Sequence, residues 1–254
     1  MTSISGLDEA AAAEVAAAFG VAHEQVRRDH LVSLLLAALS KHADELIFFG
    51  GTALARTHLP AGRLSEDIDL IATGDRARTG ERITRTATRA LLPTYGRVIW
   101  TPALTAVRDT EAAVLRTEEG LTVRLQLLRA DGQAPWPTES RDLHQRYADA
   151  PPARLRVPTA ESFAAWKTAA WHDRSLPRDL YDLWALAGVG AITEAAGALF
   201  AAYGPIGAPP RDWMFATAPS AEQWRNQLAG QTRLEVAPRE ALDVVRQAWR
   251  EATG

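Results

Sequence analysis

The chain has 254 residues, 47% of them hydrophobic and 23% charged, with a formal net charge of −3. That length suits one large domain or two small ones, and so nearly neutral a balance confines any nucleic-acid contact to a local basic patch. Cysteine is absent, which excludes disulfides, thiolate metal sites and cysteine nucleophiles.

Residues 8–19 are Ala-rich and read as a helix. A second helix is expected over 24–41, where Leu31, Leu34, Leu35 and Ala38 follow the i, i+3, i+4, i+7 spacing of one face. Val32, Leu36 and Leu39 widen that face, so this helix is expected to be well buried. Leu46-Ile47-Phe48-Phe49 is a short apolar run that ends in Gly50-Gly51, the pattern of a buried strand entering a tight turn. A short helix from Thr52 to His58 follows and is broken at Pro60-Ala61-Gly62. Residues 67–71 form a second strand. A polar, Arg-rich helix is expected over 76–92. Strands are expected over 98–106, 112–116 and 121–128, the last two joined by a hairpin at Glu118-Glu119-Gly120. Residues 131–158 read as a linker with one short helical stretch, and everything from Thr159 onward reads as helical. The fold class is α+β. A mixed β-sheet flanked by helices occupies 1–145, and an all-helical half over 146–254 completes the active-site cleft. No signal-peptide pattern and no apolar run of about 18 residues is present, so a cytoplasmic protein without a membrane partner is expected.

The chemistry concentrates at Gly50-Gly51-Thr52 and Asp67-Ile68-Asp69. In an extended strand, residues i and i+2 share a face, so Asp67 and Asp69 project together while Ile68 turns into the core. Two carboxylates this close repel unless a cation lies between them. A hard divalent cation, Mg²⁺ or Mn²⁺, prefers such ligands and brings phosphate oxygens with it. Glycines let the backbone approach a phosphate, Thr52 adds a hydroxyl, and the following helix start favours negative charge. Strand, Gly-Gly turn, helix and Asp-x-Asp strand together form an arrangement able to hold a nucleoside triphosphate over metal. Arg63 and Ser65 sit just before the carboxylates; an ion pair of Arg63 with Glu66 or Asp67 is the plainer reading of that arginine. A phosphate on Ser65 would add about −1.5 to −2 charges beside the carboxylates. The strand over 121–128 offers Gln126 where a third carboxylate would be sought.

Lys41 and Lys167 are the only two lysines among 28 basic residues. Phe163, Lys167, Trp171 and Arg174 recur at i, i+4, i+8 and i+11, on one helix face. They fit the wall of a cleft in which an aromatic stacks on a base and the cations meet phosphates. A pair of core helices with an ordinary ion pair fits as well. Ser175 is placed to cap the next helix, on which Asp179 and Asp182 are neighbours. Arg78, Arg82, Arg85 and Arg89 form a stripe that either contacts RNA or is simply solvated.

Phe48-Phe49-Gly50-Gly51-Thr52-Ala53-Leu54, followed by Arg63-Leu64-Ser65-Glu66-Asp67-Ile68-Asp69-Leu70, closely resembles the AbiEii/AbiGii toxin family, which includes the MenT toxins. Arg28-Asp29-His30 and the helix after them fit the same resemblance. It implies a nucleotidyltransferase fold of the DNA polymerase β superfamily, an Mg²⁺-dependent transfer from an NTP to RNA such as the tRNA 3′ end, and a role in a toxin–antitoxin or phage-defence system with a cognate antitoxin. It makes Asp67 and Asp69 the metal ligands and places Gly50, Gly51, Thr52, Arg63, Ser65, Lys167 and Arg174 at the nucleotide. Lys167 resembles the family's catalytic lysine and Asp182 its second essential acid, with Asp179 as the competing assignment. Transfer to a protein or a small molecule such as an aminoglycoside, and nucleotide binding with little turnover, are the alternatives.

Overall fold

The computed structural model describes residues 6–254. Contacts group the described residues into two compact units. The first runs to Pro60 and adds Leu64–Gln133 and Glu139–Val157. The second comprises Ala61–Arg63, Ala134–Thr138 and Pro158–Gly254.

The first unit opens with α1 (Glu9–Phe19) and α2 (His23–Leu39), then β1 (Leu46–Phe49), α3 (Gly50–Arg56), β2 (Ile68–Ala72) and α4 (Arg76–Tyr95). It continues with β3 (Val98–Thr101), β4 (Ala112–Thr117), β5 (Thr122–Arg129), β6 (Thr138–Asp142) and β7 (Arg154–Pro158). The seven strands form one sheet in the order β3-β4-β5-β2-β1-β7-β6. It is mixed: β2 runs antiparallel to β1 and parallel to β5, β7 is parallel to β1, and β3, β4 and β5 form an antiparallel meander. The β4–β5 turn closes at Gly120, whose φ of 87° suits glycine. Two expectations change here. The stretch read as a linker over 131–158 holds β6 and β7 and no helix, because Arg154–Pro158 finds a parallel partner in β1, a pairing no local pattern announces. The strand expected over 98–106 ends at Thr101.

The core lies on one face of the sheet. Leu46, Phe48, Ile68, Leu70, Leu115, Val123, Leu125 and Leu127 alternate into it and meet the buried leucines of α2 and Ile83, Ala87 and Leu91 of α4. As its pattern implies, α2 is buried nearly all round.

That burial encloses charge. Asp29 of α2 and Arg56 of α3 are each 1% exposed. Arg56 Nη2 donates to Asp29 Oδ1 at 2.8 Å and its Nη1 to the His144 carbonyl at 3.1 Å. The Tyr147 hydroxyl donates to Asp29 Oδ2 at 3.1 Å, and Arg146 Nη2 donates to the Ala55 and Pro60 carbonyls at 3.0 Å each. Burial, reinforced by Arg56, pulls Arg146 down to about 10, while burial pushes the Tyr147 phenol up. These bonds tie the loop before β7 to α2 and to the C-terminal end of α3.

The second unit is helical: α5 (Ala160–Arg174), α6 (Pro177–Gly188), α7 (Glu194–Tyr203), α8 (Ala221–Leu228) and α9 (Pro238–Thr253). Thr159 caps α5, accepting from Ser162 N. Ser175 does not cap α6 as expected. It ends α5 in a left-handed conformation, φ 49°, and Leu176 takes the cap position without a side-chain bond. No helix among the described residues is long and apolar enough to cross a membrane.

Removing one partner of a buried ion pair strands the other charge. Arg56→Met, which leaves Asp29 buried without its main cation, is expected to lower stability by about 3–5 kcal/mol, read from urea unfolding. A loss under about 1 kcal/mol would mean that the pair does not anchor α3.

Candidate active site

Strand β1 delivers the chain to Gly50, and the antiparallel register sets Phe49 opposite Asp69. Gly50 has φ +78°, and a Cβ built on it would stand 2.1 Å from Asp69 Oδ2 and 3.0 Å from its Cγ. No side chain fits there. The glycine is needed for its backbone angle and because the backbone lies directly against the carboxylate. Gly51 follows in the first turn of α3.

Thr52, 1% exposed, hydrogen-bonds through Oγ1 to the Asp67 carbonyl and lies 3.0 Å from Ser65 Oγ. The residues before β2 are thereby clamped to the turn. Leu64 and Ile68, both fully buried, anchor the same segment from the core side, so Asp67 and Asp69 are left half-buried on the other side. Arg28 of α2, held by Glu24 at 3.1 Å and Gln25 at 2.9 Å, pairs with Glu66. Gly50, Thr52, Ser65, Asp67 and Asp69 thus converge within the first unit.

The parallel β2–β5 register sets Gln126 beside Asp69. Its Nε2 donates to the Asp109 carbonyl at 3.2 Å. Asp109 itself is engaged by Arg76 at 3.1 Å and Arg129 at 3.3 Å. Among the described residues no three His, Cys, Asp or Glu side chains cluster closely enough to hold a metal ion. Two carboxylates with an amide beside them make an all-oxygen donor set of the kind Mg²⁺ takes when substrate phosphates complete its shell. At Gly50 it is backbone alone that lies against the Asp69 carboxylate. The residues therefore fit a hard divalent cation.

The second unit holds a separate charge cluster. Lys167 Nζ, on α5, lies 2.7 Å from Asp182 Oδ2 and 3.2 Å from Asp179 Oδ1, both on α6. Arg63 meets Asp182 with two parallel bonds of 2.8 and 2.9 Å and donates to Gln231 Oε1 at 2.7 Å. Arg174 meets Asp179 the same way, at 2.7 and 2.9 Å. Lys167 is 8% exposed, Asp182 3% and Asp179 1%. Arg63 pairs with neither Glu66 nor Asp67; its guanidinium is engaged by Asp182 and Gln231. The expected cleft wall changes as well. Phe163 and Trp171 are buried, and Trp171 Nε1 donates to the Met214 carbonyl at 2.8 Å, so neither is presented to a base. The stack in this unit is Trp136 on Trp166, with ring centroids 5.5 Å apart. Neither that stack nor Gln231 had a sequence signal.

The Arg stripe of α4 lies on the core side of the sheet. Gly80 of that helix has its Cβ direction 3.6 Å from Leu127 Cδ2, and Asp69 is on the opposite face. Arg82 pairs with Glu45, while Arg85 and Arg89 line an open groove with Leu92 and Arg97.

Burial by itself raises both carboxyls of the α6 pair. Arg63 and Lys167 outweigh it at Asp182, and Lys167 and Arg174 at Asp179, so both are held below the ordinary carboxylate range. A depressed folded-state value contributes stability above the unfolded value, about 3.9 for Asp, and loses it as pH falls through the folded one. The urea midpoint is expected to hold between pH 5 and 7, to the extent this pair controls it, and to fall below about pH 4. Asp179→Asn should flatten that acid limb. An unchanged acid limb in the variant would contradict the assignment.

A family model described as "Nucleotidyl transferase AbiEii toxin, Type IV TA system" matches residues 33–251. No curated protein sequence matches significantly. Seven chains of solved structure match. One is MenT4, a nucleotidyltransferase toxin from Mycobacterium tuberculosis H37Rv, at 23% identity and a TM-score of 0.68 over 96% of this chain and 89% of that one. The likeness to MenT4 shows the α+β fold, and the family model, spanning most of the sequence, shows that the chain belongs to the AbiEii nucleotidyltransferase toxin family of type IV toxin–antitoxin systems.

Proposed function

We infer that this toxin transfers a nucleotidyl group from an NTP to RNA, the acceptor being the 3′ end of tRNA, in the cytoplasm and under control of a cognate antitoxin. The observation that carries the reading is the bare backbone of Gly50 against Asp69, with Thr52 tying Asp67 into the same turn. Asp67 and Asp69 would hold Mg²⁺ or Mn²⁺, with Gln126 beside them. Such an ion, when bound, neutralises phosphate charge and lowers the pKa of a coordinated hydroxyl.

The acceptor's 3′-oxygen attacks the α-phosphorus of the NTP. A phosphodiester bond forms, the α–β anhydride bond breaks, and pyrophosphate leaves with the bonding pair. The hydroxyl proton goes to the Asp69 carboxylate or to water. The backbone N–H groups of Gly50, Gly51 and Thr52 and the Ser65 hydroxyl would supply donors to the triphosphate, the Thr52 hydroxyl being held by the Asp67 carbonyl. Little covalent chemistry is asked of the protein, so acceleration comes from placement and charge. Lys167, Arg174, Asp179 and Asp182 are assigned to the same reaction by family resemblance. A buried cluster of this kind is weak support for stability by itself, which leaves a functional reason for keeping it. Asp182 is preferred over Asp179 as the essential acid because it joins Lys167 to Arg63.

The test offers each labelled NTP with Mg²⁺ to tRNA and to whole-cell protein. Label is expected in tRNA. It should fall at least a hundredfold in Asp67→Asn and Asp69→Asn at unchanged melting temperature. Asp182→Asn, which keeps an acceptor for Arg63 and Lys167, should lose activity in a protein whose fold circular dichroism shows to be intact. Ser65→Asp, placing negative charge beside Asp67, should lower NTP affinity. Label in protein, or full activity in Asp67→Asn or Asp69→Asn, would overturn the reading.

A further inference from the structure

The sheet of the first unit has two unlike faces. On the core face, Ala113, Leu115, Val123 and Leu125 are at most 1% exposed. The other face is open over β3, β4 and β5: Arg116, Arg124 and Thr101 are exposed, Ile99 is 64% exposed, and Val114, Thr122 and Gln126 are half-buried. The registers bring this open face to the carboxylates. Asp69 is beside Gln126, and Gln126 is beside Ala112. Two residues back along β5 is Arg124, opposite Val114. Two further residues along β4 is Arg116, opposite Thr122 and Ile99. Side chains of paired residues share a face, so Asp69, Gln126, Arg124 and Arg116 all project on one side.

Arg116 and Arg124 have no side-chain hydrogen bond or ion pair among the described residues. Arg28, Arg56, Arg76 and Arg108 of the first unit pair with Glu66, Asp29, Asp109 and Glu111, whereas Arg85 and Arg89 on the other side of the sheet, like Arg116 and Arg124, meet no acid among the described residues. A chain of net charge −3 has acids available, yet none meets these two.

We propose that Arg124 and Arg116 form a phosphate track that holds the backbone of the acceptor RNA as its 3′ end reaches Asp69. The inference rests on RNA being the acceptor. Arg124 stands about 6.6–6.8 Å from Gln126 along the strand, and Arg116 lies diagonally across from Arg124 at about 7–8 Å. Each step is comparable to one nucleotide of an extended single strand. Guanidinium groups meet phosphates with paired bonds in a fixed fork, which a flexible ammonium does not. The Arg116 and Arg124 guanidinium planes can also stack on unpaired bases, and Ile99, beside Arg116, adds exposed apolar surface to the same face.

The experiment compares the unmodified chain, Arg116→Gln/Arg124→Gln, and Arg85→Gln/Arg89→Gln on the opposite side of the sheet, with unfractionated tRNA as probe. In the first double variant KM for tRNA should rise at least tenfold with kcat nearly unchanged. The log–log salt slope of tRNA binding should shrink by roughly 1.4, the value for two single-strand phosphate contacts. NTP affinity should not change, and the α4 variant should match the unmodified chain. Wild-type KM and salt slope in the Arg116/Arg124 variant would overturn the track. So would an equal loss in the α4 variant, or an arginine-dependent KM for a protein acceptor in place of RNA. If the unmodified chain labels no RNA, the functional reading falls and the track falls with it. If it labels RNA and only the variant result fails, the track alone is wrong.

Discussion

Gly50 carries its backbone into the Asp69 carboxylate, and much of the first unit exists to hold it there. A Cβ at that position would stand 2.1 Å from Asp69 Oδ2. The contact is possible only at a glycine with positive φ, directly at the end of a strand whose partner carries the acid. The register Phe49 to Asp69 provides the second condition, and the Thr52 bond to the Asp67 carbonyl extends it to the other carboxylate. Two acids forced together in this way repel each other. The sheet tolerates that repulsion because Leu64, Ile68 and Leu70 are locked into the core on either side of them.

The same physics recurs in the two buried ion clusters, with a different outcome in each. Around Asp29, one carboxylate serves Arg56, stands 3.6 Å from Arg146 and accepts from a tyrosine, while Arg56 Nη1 and Arg146 Nη2 donate to backbone carbonyls of the loop before β7 and of α3. That cluster is cross-linking: it anchors the C-terminal end of α3. In the second unit, three cations surround two carboxylates, and their bonds are almost all to each other. Such a cluster adds little to stability that an apolar core would not. Its buried members, Arg63, Lys167, Asp179 and Asp182, balance in charge, and the third cation, Arg174, reaches solvent.

Local patterns made much of the fold readable. Helix α2, the β1–Gly-Gly turn and the β4–β5 hairpin carry their periods and punctuation in the sequence itself, and Asp67 and Asp69 needed only the two-residue period of a strand. Relations between distant segments were not readable. Strand β7 has no alternation that separates it from a linker until β1 supplies its partner. Arg63 reads as a neighbour of Glu66, yet the fold gives Glu66 to Arg28 from α2 and Arg63 to Asp182 and Gln231. Trp171 looks like a base-stacking residue on a helical wheel, but its indole N–H answers a carbonyl 43 residues away. The open sheet face was half legible. Arg116 and Arg124 alternate with buried residues as strand residues should, but their alignment with Asp69 follows from the parallel β2–β5 pairing, a long-range fact. The resemblance to a toxin family supplied roles that no local pattern could, and the structure shows which of those side chains converge.

If the bare backbone of Gly50 is what makes room for a cation at Asp69, calorimetric titration with Mn²⁺ will show it. Gly50→Ala is expected to stay folded and to lose at least tenfold in Mn²⁺ affinity, approaching Asp69→Asn. Binding as tight as that of the unmodified chain would rule this role of Gly50 out.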